Sequence, residues 1–440
     1  MGFQQGLSGL KAASTSLDVI GNNIANASTV GFKQSTAQFS DIYALSMHTA
    51  AANQVGIGVS VMRVQQQFTQ GNVTPSSQAL DLAINGNGFF RFTDELGSVV
   101  YSRNGQLELT KEGYLVNGAN HRLTGYMADD QGNIIPGAEQ VIQLTMEYID
   151  PKITNNVTSL LNFDSREAVP SATPFSINNP ESFNHATAID VYDSLGNMHV
   201  LQTFYVREGP DLGAGITESR WAVYAYVDGN YVDAAGNHSP DAGTVAPLGY
   251  LDFGADGLPI GALDASGAEL DGYGTDQAVL ALTVGVPAIN GANAFSPKID
   301  FSGTTQYGSN FAVNDNQQDG YASGRLTGFT VDDYGYVMGR YTNGETKTLA
   351  QICLVSFKNP NGLAPIGDNE WVETRESGAP IVGEPLTGML GSINGYAIEE
   401  SNVDLTEELV DMIVAQRVYQ ANAQTIKTED QIMQTLVNLR

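Results

Sequence analysis

Residues 403–440 read VDLTEELVDMIVAQRVYQANAQTIKTEDQIMQTLVNLR. Leu405, Leu409, Met412, Gln416, Tyr419, Ala423, Ile426, Asp430, Met433 and Val437 alternate steps of four and three, an apolar heptad seam with defects at Gln416 and Asp430. The stretch lacks Gly and Pro, so it predicts one helix of up to about 57 Å at roughly 1.5 Å per residue. Asn402, or Asp404 with Glu407 and Glu408 in the first turn, is the expected N-cap. At the opposite end Phe3, Leu7, Leu10, Ser14, Leu17, Gly21 and Ile24 follow the same alternation, predicting a second amphipathic helix interrupted near Gly21. Seams of this period need helical partners, within the chain or in neighbouring copies. The expected pairing is an antiparallel coiled coil with Leu7, Leu10, Leu17 and Ile24 facing Leu409, Met412, Tyr419 and Ile426. The other side of the first helix carries Gln4, Gln5, Ser8, Ser16, Asn22, Asn23, Asn26 and Ser28. Such an uncharged polar face suits burial against another polar face or a wet channel.

Between the ends the pattern changes to β. Leu80 to Ile84, Gly88 to Thr93, Val99 to Ser102, Leu107 to Leu109 and Tyr114 to Val116 alternate. They are broken at Asn85-Gly86, Asn104-Gly105, Glu112-Gly113 and Asn117-Gly118, which predicts closely spaced hairpins. The texture returns in Arg325 to Val331, Tyr336 to Tyr341 and Gln351 to Phe357. The expected class is α+β, with terminal α-helices forming a coiled coil and two nested, mainly β domains. The expected divisions are 1–25 with 402–440 for the helices, 26–75 with 394–401 for a linker, 76–150 with 321–393 for a β-domain, and 151–320 for an inserted domain. Gly31, Gly56, Gly58 and Gly71 would give the linker flexibility.

The chain has 440 residues and a formal net charge of −28. Duplex recognition draws on clustered Lys and Arg, so nucleic acid and anionic lipid surfaces are excluded as partners. The charge is uneven. Residues 151–320 hold 20 acidic and 5 basic side chains, whereas residues 1–80 hold 2 and 3. Cys353, the single cysteine, lies in an apolar run and reads as a buried strand residue. The five His residues show no metal spacing. Asp129-Asp130, Asp332-Asp333 and Asp252 to Asp256 sit beside Gly and read as turns, not calcium loops. Asn85-Gly86-Asn87-Gly88 is followed by strand residues where a phosphate-cradling helix should start. GxSxG, HExxH and CxxC are missing, so the expectation is no catalytic residue, no metal, no cofactor and no enzyme. No secretory leader or membrane-inserting segment is expected either.

The ends carry a resemblance. Residues 17–33, LDVIGNNIANASTVGFK, with Asn22, Asn23, Asn26, Gly31 and Phe32, resemble the N-terminal signature of the bacterial flagellar rod and hook family. SNVDL at 401–405 and MIVAQRVYQAN at 412–422, with Asn402, Tyr419 and Asn422, resemble its C-terminal signature. Residues 80–125 are similar to its shared β-domain, and Ala188 to Val206, with the turn 192–197, to an outer domain of the longer, hook-type members. The resemblance implies a structural subunit that self-assembles in many copies into a curved, flexible tube, a universal joint carrying torque from rod to filament. It implies export by a type III apparatus without a cleaved signal, an extracellular place in the flagellum, and a distal rod protein, a cap and hook-filament junction proteins as partners. On that reading Phe3, Leu7, Leu10, Leu17, Ile24, Leu405, Leu409, Met412, Tyr419, Ile426, Met433 and Val437 are the assembly residues. The alternatives are a distal rod subunit, or a β-rich surface adhesin or hydrolase.

Overall fold

The structure is a computed structural model and describes residues 2–42, 56–135, 137–144, 148–209, 219–240, 246–271, 273–274, 280–288 and 291–438, with the side chains of 436–438 outside that description. Asp404 starts the C-terminal helix, accepting from the N–H of Thr406 at 2.7 Å and of Glu407 at 3.3 Å. Helix α2 then runs Leu405–Asn438, 34 residues or about 51 Å. Asn402 is therefore not the cap, and its amide is used elsewhere. Helix α1 covers Gly2–Ala25 without a break at Gly21, which faces open space. The chain divides into two units, Met1–Met146 with Thr327–Arg340 and Thr346–Arg440, and Glu147–Leu326 with Tyr341–Glu345. Both helices and the expected linker belong to the first unit.

In that unit the residues after α1 form a hairpin. Strand β1 (Ser35–Ile42) pairs antiparallel with β2 (Gly58–Gln66), with a bulge between Gln38 and Phe39. Next comes the short β3 (Val73–Pro75), which pairs with Ala397–Glu399 just before α2. The main sheet runs Leu326–Val331, Tyr336–Tyr341, Thr346–Ile352, Arg122–Met127, Phe89–Thr93, Val99–Ser102, Glu370–Val372 and Ala364–Gly367. Alternation along Phe89–Thr93 sends neighbouring rings to opposite faces. Phe90 and Phe92 enter an aliphatic core with Leu82, Ile84 and Ile352, while Phe89 enters an aromatic one with Tyr101, Phe357 and Trp371. Cys353 is fully buried, and burial pushes its thiol up to about 11.

Two of the expected hairpins differ. Leu82–Asn85 pairs with Ser392–Gly395 and not with Phe89–Thr93, because Asn85-Gly86 lies against the backbone of Gly391 and the chain crosses to another sheet. Likewise Val99–Ser102 and Glu108–Leu109 have different partners on either side of Asn104-Gly105. Six of the turns that close hairpins share another chemistry. Asp94, Asp129, Asp193, Asp233, Asp264 and Asp332 each accept two backbone N–H groups, from the residues two and four further on. Three residues after each stands a glycine at positive φ, a conformation that only Gly adopts without strain.

Among the described residues the second unit has two sheets. One joins Asn156–Asp164 in parallel to Lys298–Asp300 and Thr305–Tyr307, and antiparallel to Ala312–Gln318. The other is built on Met198–Glu208 and Ser219–Val227. Trp221 stacks on Phe163 at 4.5 Å in their shared core. Buried His199 lies between Asp228, on Nδ1, and Asp193, 3.2 Å from Nε2. Burial disfavours the imidazolium, but the hydrogen bonds to both carboxylates outweigh it and raise the imidazole above its ordinary 6.5. Asp193 is opposed by burial too, yet the amides of its turn and His199 hold it at about 2. The stabilisation from His199 is thus complete below pH 6.5 and fades as pH rises through its raised value. That from Asp193 is present above its ordinary 3.8 and fades as pH falls toward about 2. Thermal melting followed by tryptophan fluorescence should show the Trp221 unit losing stability as pH rises above 6.5, with His199→Gln flattening that limb. A limb of unchanged slope in the variant would remove His199 as its cause.

Candidate assembly site

The contact between α1 and α2 is made by small residues. A Cβ on Gly6 would stand 3.0 Å from Cγ1 of Ile426, and one on Gly9 would stand 2.6 Å from Oδ1 of Asn422. Farther along, the Asn23 amide donates to Glu408 at 2.8 Å. Ascending α1 therefore meets descending α2, and the pair is antiparallel. Ala13 and Ile20 are buried at the intervening α1 positions, and Ala415 on α2. The α1 contact positions 6, 9, 13, 20 and 23 fit one seven-residue repeat, displaced by one from the Leu7, Leu10, Leu17, Ile24 series.

The expected facing is corrected accordingly. The close contacts on α1 fall at Gly6, Gly9 and Asn23, one residue before the expected Leu7, Leu10 and Ile24; Leu7 is exposed beside Val59 and Val61 of β2, and Leu10, Leu17 and Ile24 are half-buried. On α2, Met412 and Ile426 lie in the covered stripe, whereas Leu405, Leu409, Tyr419 and Met433 are exposed, as is Phe3 on α1. Val437 falls within α2, but its side chain is outside the described residues. The reason is steric. Glycine at 6 and 9 lets the backbones approach closely, so the small face wins the intramolecular contact and the Leu face is left to one side. The polar side of α1 is not wholly free either: Gln5 donates to the carbonyl of Gly56, Ser8 accepts from the N–H of Val59, and Asn23 is buried.

At the foot of the helix pair a buried polar cluster joins four segments. The carboxylate of Glu399 accepts from Lys33 Nζ at 2.6 Å, the Gly71 N–H at 2.9 Å and Arg103 at 3.3 Å. Lys33 also donates to the Thr69 carbonyl at 2.8 Å, and the Gly31 N–H donates to the Glu399 carbonyl at the same distance. All three charged side chains are within 2% of full burial. Burial pulls Lys33 and Arg103 below their ordinary values, against the opposing pull of Glu399. One turn away Asn23 binds both backbone groups of Ser35, and Glu408 accepts from Asn23 and Gln34. Asn402 accepts from the Gln34 N–H at 2.7 Å and donates to Gln67 and Thr69, tying the start of α2 to the hairpin. Trp371 of the main sheet donates to Gln66 at 2.7 Å, and Phe68 packs edge-on against it.

The signature residues fall into this frame unevenly. Asn23, Gly31, Phe32 and Asn402 are in or against the cluster; Asn26 bonds back to Asn22 at the end of α1; Asn422 lies on Gly9; Tyr419 is exposed. Lys33, Arg103, Glu399 and Glu408 are buried charged residues of this frame that apolar periodicity misses. Three of the expected linker glycines lie at close approaches. A Cβ on Gly31 would meet the Asn104 N at 2.7 Å, on Gly58 the Ser8 Oγ at 2.2 Å, and on Gly71 the Glu400 carbonyl at 2.0 Å. Gly56 is held through its carbonyl by Gln5. Gly31 and Gly71 leave room for a neighbouring backbone, and Gly58 for the Ser8 side chain.

Family models match in the order flagella basal body rod protein over residues 3–33, flagellar hook protein FlgE/F/G D1 domain over 83–158, flagellar basal body protein FlaE D2 domain over 162–321, and flagellar basal body rod FlgEFG protein C-terminal over 394–439. The chain is 40% identical over 445 residues to the flagellar hook protein FlgE of Escherichia coli strain K12, covering 100% of both. It is 40% identical over 444 residues to that of Salmonella typhimurium, again covering 100% of both. To that of Borreliella burgdorferi it is 34% identical, covering 99% of this chain and 98% of the relative. The crystal structure of Helicobacter pylori flagellar hook protein FlgE2 is similar with a TM-score of 0.51 at 14% identity, over 74% of this chain and 100% of that one, a likeness that speaks for the fold.

Proposed function

This chain belongs to the flagellar hook protein family and is a structural subunit of the hook, and from that premise we propose that its terminal helices form the seam by which copies assemble into a tube. The observation that carries the reading is a run of exposed apolar side chains on α2: Leu405, Leu409, Val410, Ile413, Val414 and Val418. Burying each is worth about 1.5–3 kcal/mol, so a helix that leaves them in water gains from neighbours of the same kind. The helices line the inside of the tube as a coiled coil, and contacts between copies extend the packing begun by α1 on α2. Association costs translational freedom, so single contacts are weak and the lattice holds collectively.

In the free subunit α2 has partners along one stripe only. We propose that much of the helix pair is unfolded before assembly, which fits passage through a type III export channel without a cleaved signal and delays premature polymerisation. Among the described residues no helix is long and apolar enough to cross a membrane. Outside the cell the polymer acts as a universal joint carrying torque, with a distal rod protein at its base and junction proteins toward the filament. The acidic residues 151–320 keep the polymer soluble. Circular dichroism of monomer and polymer tests the ordering step. Helical signal should rise on polymerisation; no gain would sink the idea.

A further inference from the structure

Beside the α1–α2 contact lies an open apolar groove of about 540 Å³, with Ala12, Ala13 and Ile20 as its floor and Val414, Val418 and Phe39 as its walls. The floor residues are buried, but the walls stay open to solvent. The α2 stripe that packs on α1 does not end with that contact. It runs through Met412, Ala415, Asn422 and Ile426, and Met433 lies one heptad past Ile426, beyond the residues that Gly6 and Gly9 touch. Met433 is 61% exposed and its neighbour Ile432 is 49% exposed. One chain thus carries an uncovered apolar helix end and an uncovered apolar trough of ligand-pocket size.

We infer that the groove seats the α2 end, around Ile432 and Met433, of a second copy of this chain. The inference rests on the tube-forming reading above and names the residues that would meet. Three observations favour a second copy over an unrelated partner. The helix end displays the same heptad stripe that already packs on α1, so its entry into the groove continues an existing helix–helix contact. Apart from Ile20 the floor is made of small side chains, Ala12 and Ala13 with Gly9 and Ser16 beside them, which admits Ile and Met without displacing α1 or α2. Every chain of a homopolymer also offers both halves, so the contact repeats head to tail and propagates along a lattice, as a heterologous interface does.

The test is a full-length Val418→Cys, Met433→Cys chain. Its native Cys353 is fully buried and stays out of the chemistry. Mild oxidation of the polymer should give a ladder of disulfide-linked multimers holding most of the chain, whereas the same variant as monomer, and each single variant, should give none. Should the paired variant fail to assemble, a copolymer of the two single variants reads the same contact, as a disulfide-linked dimer. Tubes without cross-links would overturn the assignment. So would a thiol at 418 that resists maleimide labelling in the monomer, because the groove would then be covered by its own chain. Absence of tubes from the unmodified chain strikes instead at the tube reading itself, which electron microscopy of the same samples distinguishes.

Discussion

Glu399→Ala should lower the melting midpoint of the helix-bearing unit by roughly 6–20 °C, the equivalent of about 3–5 kcal/mol at some 2–4 °C per kcal/mol for a unit of this size. The substitution leaves Lys33 and Arg103 buried as uncompensated cations and removes the acceptor of the Gly71 N–H. The damage is specific in place, because the same carboxylate ties the residues after α1, the β2–β3 connection, the main sheet and the approach to α2. Glu399→Gln should be milder, since an amide oxygen still accepts one hydrogen bond. Replacing Lys33, Arg103 and Glu399 together by Met, Met and Leu should recover much of the loss, because a fully apolar cluster leaves no charge unpaired. Lys152→Ala serves as the contrast. Its pair with Asp319 spans 3.8 Å at an exposed site, and its loss should stay within about 1 kcal/mol. A Glu399→Ala chain that melts like the parent would show that the cluster does not hold the helices to the sheet.

How far the sequence announces this arrangement differs from element to element. Both helices are legible because their apolar positions repeat over many turns, and the Asp-x-x-Gly turns because one carboxylate and one glycine suffice to close each. The face that α1 turns to α2 is not legible from hydrophobicity. Gly6, Gly9 and Ala13 carry little apolar surface, yet they allow the closest approach, and the result is a contact displaced by one residue from the Leu series. Glu408 sits in the covered stripe of α2 as a charged residue, which any apolar criterion rejects. The Arg103–Glu399 pair joins positions 296 residues apart, and no local pattern links them. Asn85-Gly86 has the composition of a hairpin turn, but the partner of its first strand comes from residues 392–395. The cap of α2 shows the same competition: Asn402 and Asp404 are both suitable by type, and the hairpin claims Asn402.

Gly9→Leu is expected to have the second large effect, on assembly more than on folding. Even a methyl group at this position would lie 2.6 Å from Oδ1 and 2.8 Å from Cγ of Asn422. That side chain can rotate away from a methyl, so Gly9→Ala should be mild. Leucine reaches farther and forces the helices apart, an overpacking cost of about 1–3 kcal/mol per copy. Each added subunit meets the lattice through the displaced pair, so the critical concentration for polymerisation should rise roughly 5- to 150-fold. The main sheet lies elsewhere in the unit and should melt as in the parent. Electron microscopy of purified full-length Gly9→Leu chain, at a concentration where the parent forms tubes, tests most directly whether the close-packed helix pair is the assembling element. The account predicts curved tubes from the parent and isolated, folded particles from the variant. Tubes of unchanged geometry from the variant at the parent's concentration would contradict it.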